Sequence, residues 1–168
     1  MRMVLAAISI AIPGVAMTQA LVTERTISVS AAQEAARVAL EQCRKDGHRV
    51  TVTVLDHASR TKVVLRDDGA SPHSLQHSLN KAYTALTYRE PSGDYGKRAA
   101  ANFPASAGPL NLEKITTSAG GLPIRAGNDV VGAIGVSGSR GTQSAPGGTA
   151  DAKCGQAGID RIASDLGR

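Results

Sequence analysis

Between residues 50 and 88 the hydrophobic period changes from two to nearly four, and that change limits the folds open to the chain. Val50, Val52 and Val54 alternate with Thr51 and Thr53, the period of a strand with one face buried. Asp56-His57-Ala58-Ser59-Arg60 is a connection of hairpin length, and residues 62–65 return as a second strand. Arg66-Asp67-Asp68-Gly69-Ala70 then turns the chain into a helix over residues 71–88, with Pro72 tolerated in its first turn. On that helix His73, His77 and Lys81 are four residues apart, which puts two imidazoles and an amine on one stripe. The opposite stripe is Leu75, Leu79, Ala82 and Leu86. The expectation is a helix that packs its leucines on a core and turns its imidazole-and-amine edge toward an open hollow.

The flanking segments extend the pattern. Ser28-Val29-Ser30 introduces a first helix, with Ser30 as the expected N-cap and Gln33 completing a capping box; it runs to about residue 46 and stops at Gly47. Residues 90–112 carry Pro91, Gly93, Gly96, Pro104, Gly108 and Pro109, with a short helix near 94–102; segments of this kind serve as lids or subunit contacts. Residues 122–126 and 129–137 form a hairpin around Gly127-Asn128. In its second strand Val131, Ala133 and Gly135 make a small face that could lie under a helix or a flat ligand. A Gly/Ser loop over 138–148 leads to a last helix over 149–166, and residues 115–119 supply a further strand. Hairpins with helices at both ends give an α+β domain with an antiparallel sheet of about five strands. The 168 residues suit one domain.

The first twenty residues read as a leader rather than as part of the fold. Arg2 precedes an apolar run over residues 4–12, Pro13-Gly14 breaks it, and Thr18-Gln19-Ala20 offers a cleavage site after Ala20, with Ala16 as the alternative. The run is shorter than the roughly 20 residues a membrane span needs. A signal peptide over 1–20 and a single domain over 21–168 are expected, in a periplasmic or secreted protein without a membrane span. That compartment bears on the two cysteines. Cys43 continues a helical stripe with Ala32, Ala36 and Ala39, and Cys154 shares one with Gly158 and Ile162. If the two helices are neighbours, an oxidising compartment joins Cys43 to Cys154; two buried free thiols are the alternative, and metal ligation by two isolated cysteines a weaker one. The net charge of +5 comes from scattered Lys and Arg, with three Tyr, one Phe and no Trp. A nucleic-acid groove needs a basic stripe and stacking aromatics, so nucleic acid is not expected as a partner.

Taken in order, the Cys-bearing first helix, Val52-Thr53-Val54-Leu55-Asp56, Leu65-Arg66-Asp67-Asp68-Gly69-Ala70, Lys81-Ala82-Tyr83-Thr84-Ala85, Gly120-Gly121-Leu122-Pro123-Ile124 and Val131-Gly132-Ala133-Ile134-Gly135-Val136-Ser137-Gly138 form a specific series. It resembles the haem-degrading or haem-binding family that includes the GlcG and HbpS proteins and the C-terminal domain of PduO, from about Ile27 to the C-terminus. The resemblance implies a profilin-like fold, with helices on both faces of the antiparallel sheet. It implies a homo-oligomer, from dimer to octamer. It also implies haem, or in some members a corrinoid, bound at subunit surfaces or interfaces, with extracellular haem binding linked to redox sensing as the best-developed role.

Set against these implications, the candidate residues divide clearly. His73 and His77 could ligate haem iron or a corrinoid metal, or could be solvated on an outer helix face. Arg66 and Lys81 match the family motif and could clamp an anion such as a propionate, or pair with Asp67, Asp68 or Asp56 to tie helix to strand. His73-Ser74-Leu75-Gln76-His77 lacks the Glu and third ligand of a hydrolytic zinc site. Gly120-Gly121 and the glycines over 135–141 match neither a P-loop nor a dinucleotide fingerprint and are read as turns and tight packing. His48 and His57 are expected in loops, and Asp56 to fix its turn. The expected function is tetrapyrrole binding, haem first, with no committed catalytic residue and at most weak haem-degrading or peroxidase-like turnover. The alternative is an oligomeric accessory protein that binds a small anionic metabolite or a protein partner without a metal cofactor.

Overall fold

The computed structural model of the chain describes residues 20–141 and 147–167. The expected leader lies outside the described residues except for Ala20, as does part of the Gly/Ser loop. The elements run α1 (Val29–Lys45), β1 (Thr51–Asp56), β2 (Thr61–Arg66), α2 (Ser74–Tyr88), α3 (Ser92–Ala101), α4 (Ala107–Leu110), β3 (Gly121–Ala126), β4 (Asp129–Ser137) and α5 (Gly147–Leu166). The sheet is antiparallel throughout, in the order β2-β1-β4-β3.

Register explains how the sheet divides its two faces. Val52 and Val54 of β1 lie opposite Val136 and Ile134 of β4 and enter the large core with Ala32, Ala36 and Ala39 of α1 and Cys154 and Ile162 of α5. Leu55, opposite Ala133, turns the other way and packs with Ala82 and Ala85 of α2. Helices therefore cover both faces. Cys43 and Cys154 are joined by a disulfide, their Cα atoms 5.5 Å apart, across the contact of α1 and α5. That contact is tight because Gly158 has no side chain: a Cβ there would stand 2.3 Å from the Ala35 carbonyl oxygen.

Four details differ from the expectations. Thr51 and Thr53 are as buried as the valines between them, so β1 is covered on both faces. Their hydroxyls pair with those of Ser74 and Ser78, each at 2.7 Å, which removes the penalty for burying them. The buried face of α2 is accordingly Ser74, Ser78, Lys81, Ala82 and Ala85, while Leu75 is exposed and Leu79 and Leu86 are only partly covered. The N-cap of α1 is Ser28, not Ser30: its hydroxyl accepts from the Ala31 N–H at 3.2 Å. Ile27 fixes that register, buried in the core with its N–H on the Val131 carbonyl. Finally, residues 115–119 do not add a fifth strand. Their polar groups bond helices instead of a strand edge: the Thr116 N–H donates to Thr84 Oγ1 on α2, and the Ser118 carbonyl accepts from Ser92 Oγ on α3.

The strand ends are held by two buried carboxylates. Asp56 accepts the N–H groups of Ala58 and Arg60 and the Arg60 guanidinium, fixing the β1–β2 turn as expected. Asp67 accepts from Arg44 at 2.7 Å and ties α1 to the end of β2. Burial pushes the Asp56 carboxyl up, but the Arg60 amide and guanidinium outweigh it and hold it below the usual range. Arg44 does the same for Asp67 against the opposing effect of burial. Both carboxyls are depressed in the folded state, so their contribution is complete above the unfolded value of about 3.9 and is lost as pH falls through the folded values. We expect Asp67→Asn to lower stability at neutral pH and to flatten the loss of stability below about pH 4. Urea unfolding across pH checks this; an unchanged acid slope would remove Asp67 from the account.

Candidate functional site

The site begins with how closely α2 approaches the sheet. A Cβ at Gly135 would stand 2.0 Å from the Ser78 carbonyl oxygen, and one at Gly121 would stand 1.9 Å from that of Lys81. Ala133 and Gly135 of β4 therefore lie under a helix and not under a flat ligand, while Val131, expected on the same face, packs in the large core with Ile27. A helix advances about 100° per residue, so positions four apart drift by about 40° around the axis. The His73, His77, Lys81 stripe consequently winds inward: His73 is exposed, His77 half-buried and Lys81 buried.

Lys81 ends in the interior. Its Nζ donates to Asp151 Oδ2 at 2.7 Å and to the Val136 carbonyl at 3.1 Å, and both charged side chains are only 3% exposed. Asp151, on α5, accepts the Ser139 N–H through its other oxygen at 3.0 Å. This pair forms the floor of a hollow of about 330 Å³ lined by His73, His77, Ser71, Ser118, Ser137, Ser139 and Arg140. The His77 ring reaches Ser137 Oγ at 3.3 Å through Nδ1 and Thr116 Oγ1 at 3.4 Å through Nε2. Burial pushes its pKa below the ordinary histidine value, and the neighbouring Lys81 charge acts in the same direction against the pull of Asp151. A neutral imidazole beside serine hydroxyls, with a cation at the rim, can donate to a metal or bind an anionic group.

Three of the four expected site residues meet here. His73 and His77 face the hollow, their ring centroids 6.5 Å apart. Lys81 contributes to its floor as half of an ion pair, and its partner is Asp151 rather than Asp67, Asp68 or Asp56. Arg66 lies outside the hollow and donates to the Ala70 carbonyl at 2.7 Å. Sequence reasoning missed Asp151 and Arg140. A signal for Asp151 was available: it is a carboxylate at the head of the stripe that continues through Cys154, Gly158 and Ile162. Of the loop histidines, His57 contacts Glu24 at 2.5 Å, and His48 is partly covered. Among the described residues no group of three or more His, Cys, Asp or Glu side chains could hold a metal ion, and no helix is long and apolar enough to cross a membrane.

Comparison with known proteins gives one consistent result. The family model described as haem degrading protein HbpS-like matches residues 27–160. An uncharacterised 15.0 kDa protein from the dhaT-dhaS intergenic region of Citrobacter freundii is 35% identical over 116 residues, 67% of this chain and 80% of that protein. Among solved structures, a doubly substituted HbpS of Streptomyces reticuli is 33% identical with a TM-score of 0.76, covering 92% of this chain and 99% of that one. The ORFY protein of Klebsiella pneumoniae superposes at a TM-score of 0.79 with 24% identity, over 89% of this chain and 99% of its own. A PduOC–heme complex superposes at 0.71 with 21% identity, over 82% and 95%. The last two likenesses bear on the fold alone.

Proposed function

We propose that this chain, which belongs to the HbpS-like family of haem-degrading proteins, binds haem or a related tetrapyrrole at the hollow of His73 and His77. The observation that carries this reading is His77: a half-buried imidazole held in its neutral, metal-donating form in an open, polar recess. His73, one turn away, is the second candidate donor. Arg140 offers a cation for a ligand carboxylate. Lys81 acts indirectly, holding Asp151 and through it the Ser139 backbone at the floor. Arg66, off the hollow, serves only to draw an anionic ligand in. A bound haem would supply the redox chemistry, and no residue here is assigned a catalytic step.

The residues present suit the metal and the carboxylates of such a ligand. They do not wall in its ring: about 330 Å³ is the small end of the roughly 300–1,000 Å³ usual for ligand pockets, and none of the lining residues has an aromatic carbon ring. This supports a surface or interface site in a homo-oligomer over a pocket enclosed by one chain. The disulfide, with the apolar run near the N-terminus, supports a periplasmic or secreted location and a role in haem handling or redox sensing there. The small volume and the serine-rich lining also favour a second reading, a small anionic metabolite held without any metal.

Haemin titration separates the two. We expect a shifted Soret band whose affinity falls about tenfold or more in His77→Ala. Binding should persist as pH drops below 6.5 and fail only through the depressed pKa of His77, because protonation removes the donor. No spectral change with haemin, together with thermal stabilisation by small carboxylates, would replace the haem reading with the second one.

A further inference from the structure

The end of α2, α3 and α4 enclose a recess of about 230 Å³ that shares no residue with the histidine hollow. Tyr88 and Tyr95 line it with their rings stacked, centroids 4.0 Å apart, and the Arg98 guanidinium lies 5.3 Å from the Tyr95 centroid. Asn102, Ala105 and Pro109 extend the lining. Ser106 Oγ donates to the Ala99 carbonyl at 2.8 Å and so fixes the chain beyond α3 against that helix. Phe103 stands between Asn102 and Ala105 in the chain, yet its ring stays out of the recess and is 65% exposed. The chain has only three Tyr, one Phe and no Trp, so three of its four such rings gather at this recess and its edge. An apolar knob and an aromatic hole therefore lie side by side on one surface.

We infer that this face pairs with the same face of a second copy of the chain, each Phe103 ring entering the recess of the other. A two-fold contact uses one patch on both subunits, so the patch must carry its own complement. A knob beside a hole meets that requirement: with the axis between them, each ring enters the opposite recess. Size agrees, because a cavity of about 150 Å³ already holds benzene. Charge agrees as well. Arg98 is paired with Glu90 and Lys97 with Asp94, so each face is near neutral and two copies meet without like-charge repulsion. An inserted ring lies against stacked tyrosines and a guanidinium, and aromatic and Arg side chains around a small pocket are the groups that dominate contact energies. Pro104, Pro109 and Leu112, all exposed, extend the apolar contact toward the roughly 800 Å² per side of a stable pair. The inference rests on the homo-oligomer reading above, to which it gives a face, and is independent of haem.

The test is sedimentation equilibrium of the full chain without haemin, with two variants at exposed positions. Phe103→Ala removes the knob, and Ala105→Trp plugs the hole. Each, folded as judged by circular dichroism, should raise the dissociation constant of the pair about tenfold or more. Mixing the two supplies a control that a merely structural effect would not mimic. A pair of Phe103→Ala chains has no knob and a pair of Ala105→Trp chains has no open hole, but the mixed pair regains one of the two insertions. The equimolar mixture should therefore associate more tightly than either variant alone and less tightly than the parent. Folded variants that both associate as the parent does, or a mixture no tighter than its components, would place the contact on another face and overturn the inference while leaving the homo-oligomer intact. A parent chain that stays monomeric would overturn the inference together with the homo-oligomer reading, and would leave haemin binding to be judged by its own titration.

Discussion

Asp151→Leu alone should destabilise the protein by about 3–5 kcal/mol, whereas Asp151→Leu combined with Lys81→Met should cost much less. The single change strands the Lys81 ammonium, 2% exposed, with only the Val136 carbonyl as a partner. An uncompensated buried charge loses its hydration and receives no equivalent return. The double change removes both charges and replaces them with apolar groups of similar volume, an exchange that is often close to neutral. A residue of about 1 kcal/mol should remain, because Asp151 also accepts the Ser139 N–H. Lys81→Met alone should fall between, since Asp151 keeps that backbone partner. Urea unfolding of the four proteins reads the coupling directly. If the two single changes simply add, the pair is solvated and the floor of the hollow is not the dry ion pair described. The geometry also explains why an arrangement of small net value is present. A Lys on α2 and an Asp on α5, 70 residues apart, meet around the end of β4 and set the helices in one relative position, which an apolar pair would define less sharply.

That long separation shows where sequence reasoning reached and where it stopped. β1, β2, α2 and the β3–β4 hairpin are local, and each follows from a period or a turn within a dozen residues. The histidine stripe was legible for the same reason. What spacing alone could not show was the drift of that stripe, which leaves His73 in water and takes Lys81 inside. Nor could it show the carboxylate waiting there. Thr51 and Thr53 read as a solvent face because hydroxyls usually mark one. Their burial depends on Ser74 and Ser78 being four apart on the helix that covers them, a match of two patterns rather than a property of either. Residues 115–119 failed as a strand for the converse reason: Ile115, Thr116 and Thr117 have strand propensity, but Thr84 Oγ1 captures the Thr116 N–H before a strand can.

The disulfide carries the other large effect. Replacing Cys43 and Cys154 together by Ala should lower stability by about 4–5 kcal/mol, because the bridge closes a loop spanning 111 residues and restricts the unfolded chain accordingly. Alanine is the appropriate replacement: both sulfurs sit where relative exposure is 0%, and a serine would bring a buried hydroxyl. The folded structure should survive the change. α1 and α5 remain packed through Ala35, Ala39 and Gly158, whose contacts do not involve sulfur. The loss should therefore arise in the unfolded state, which expands once the loop opens; the urea midpoint should fall and the m-value rise together. Haemin affinity separates this account from its rival. Cys43 Sγ lies 3.7 Å from Ser139 Oγ, and Ser139 lines the hollow with its N–H on Asp151. If the bridge acted by holding the native site in shape, the alanine pair would weaken haemin binding in step with stability. If it acts on the unfolded chain, stability falls by kilocalories while haemin affinity, measured well below the melting transition, stays within about twofold of the parent value.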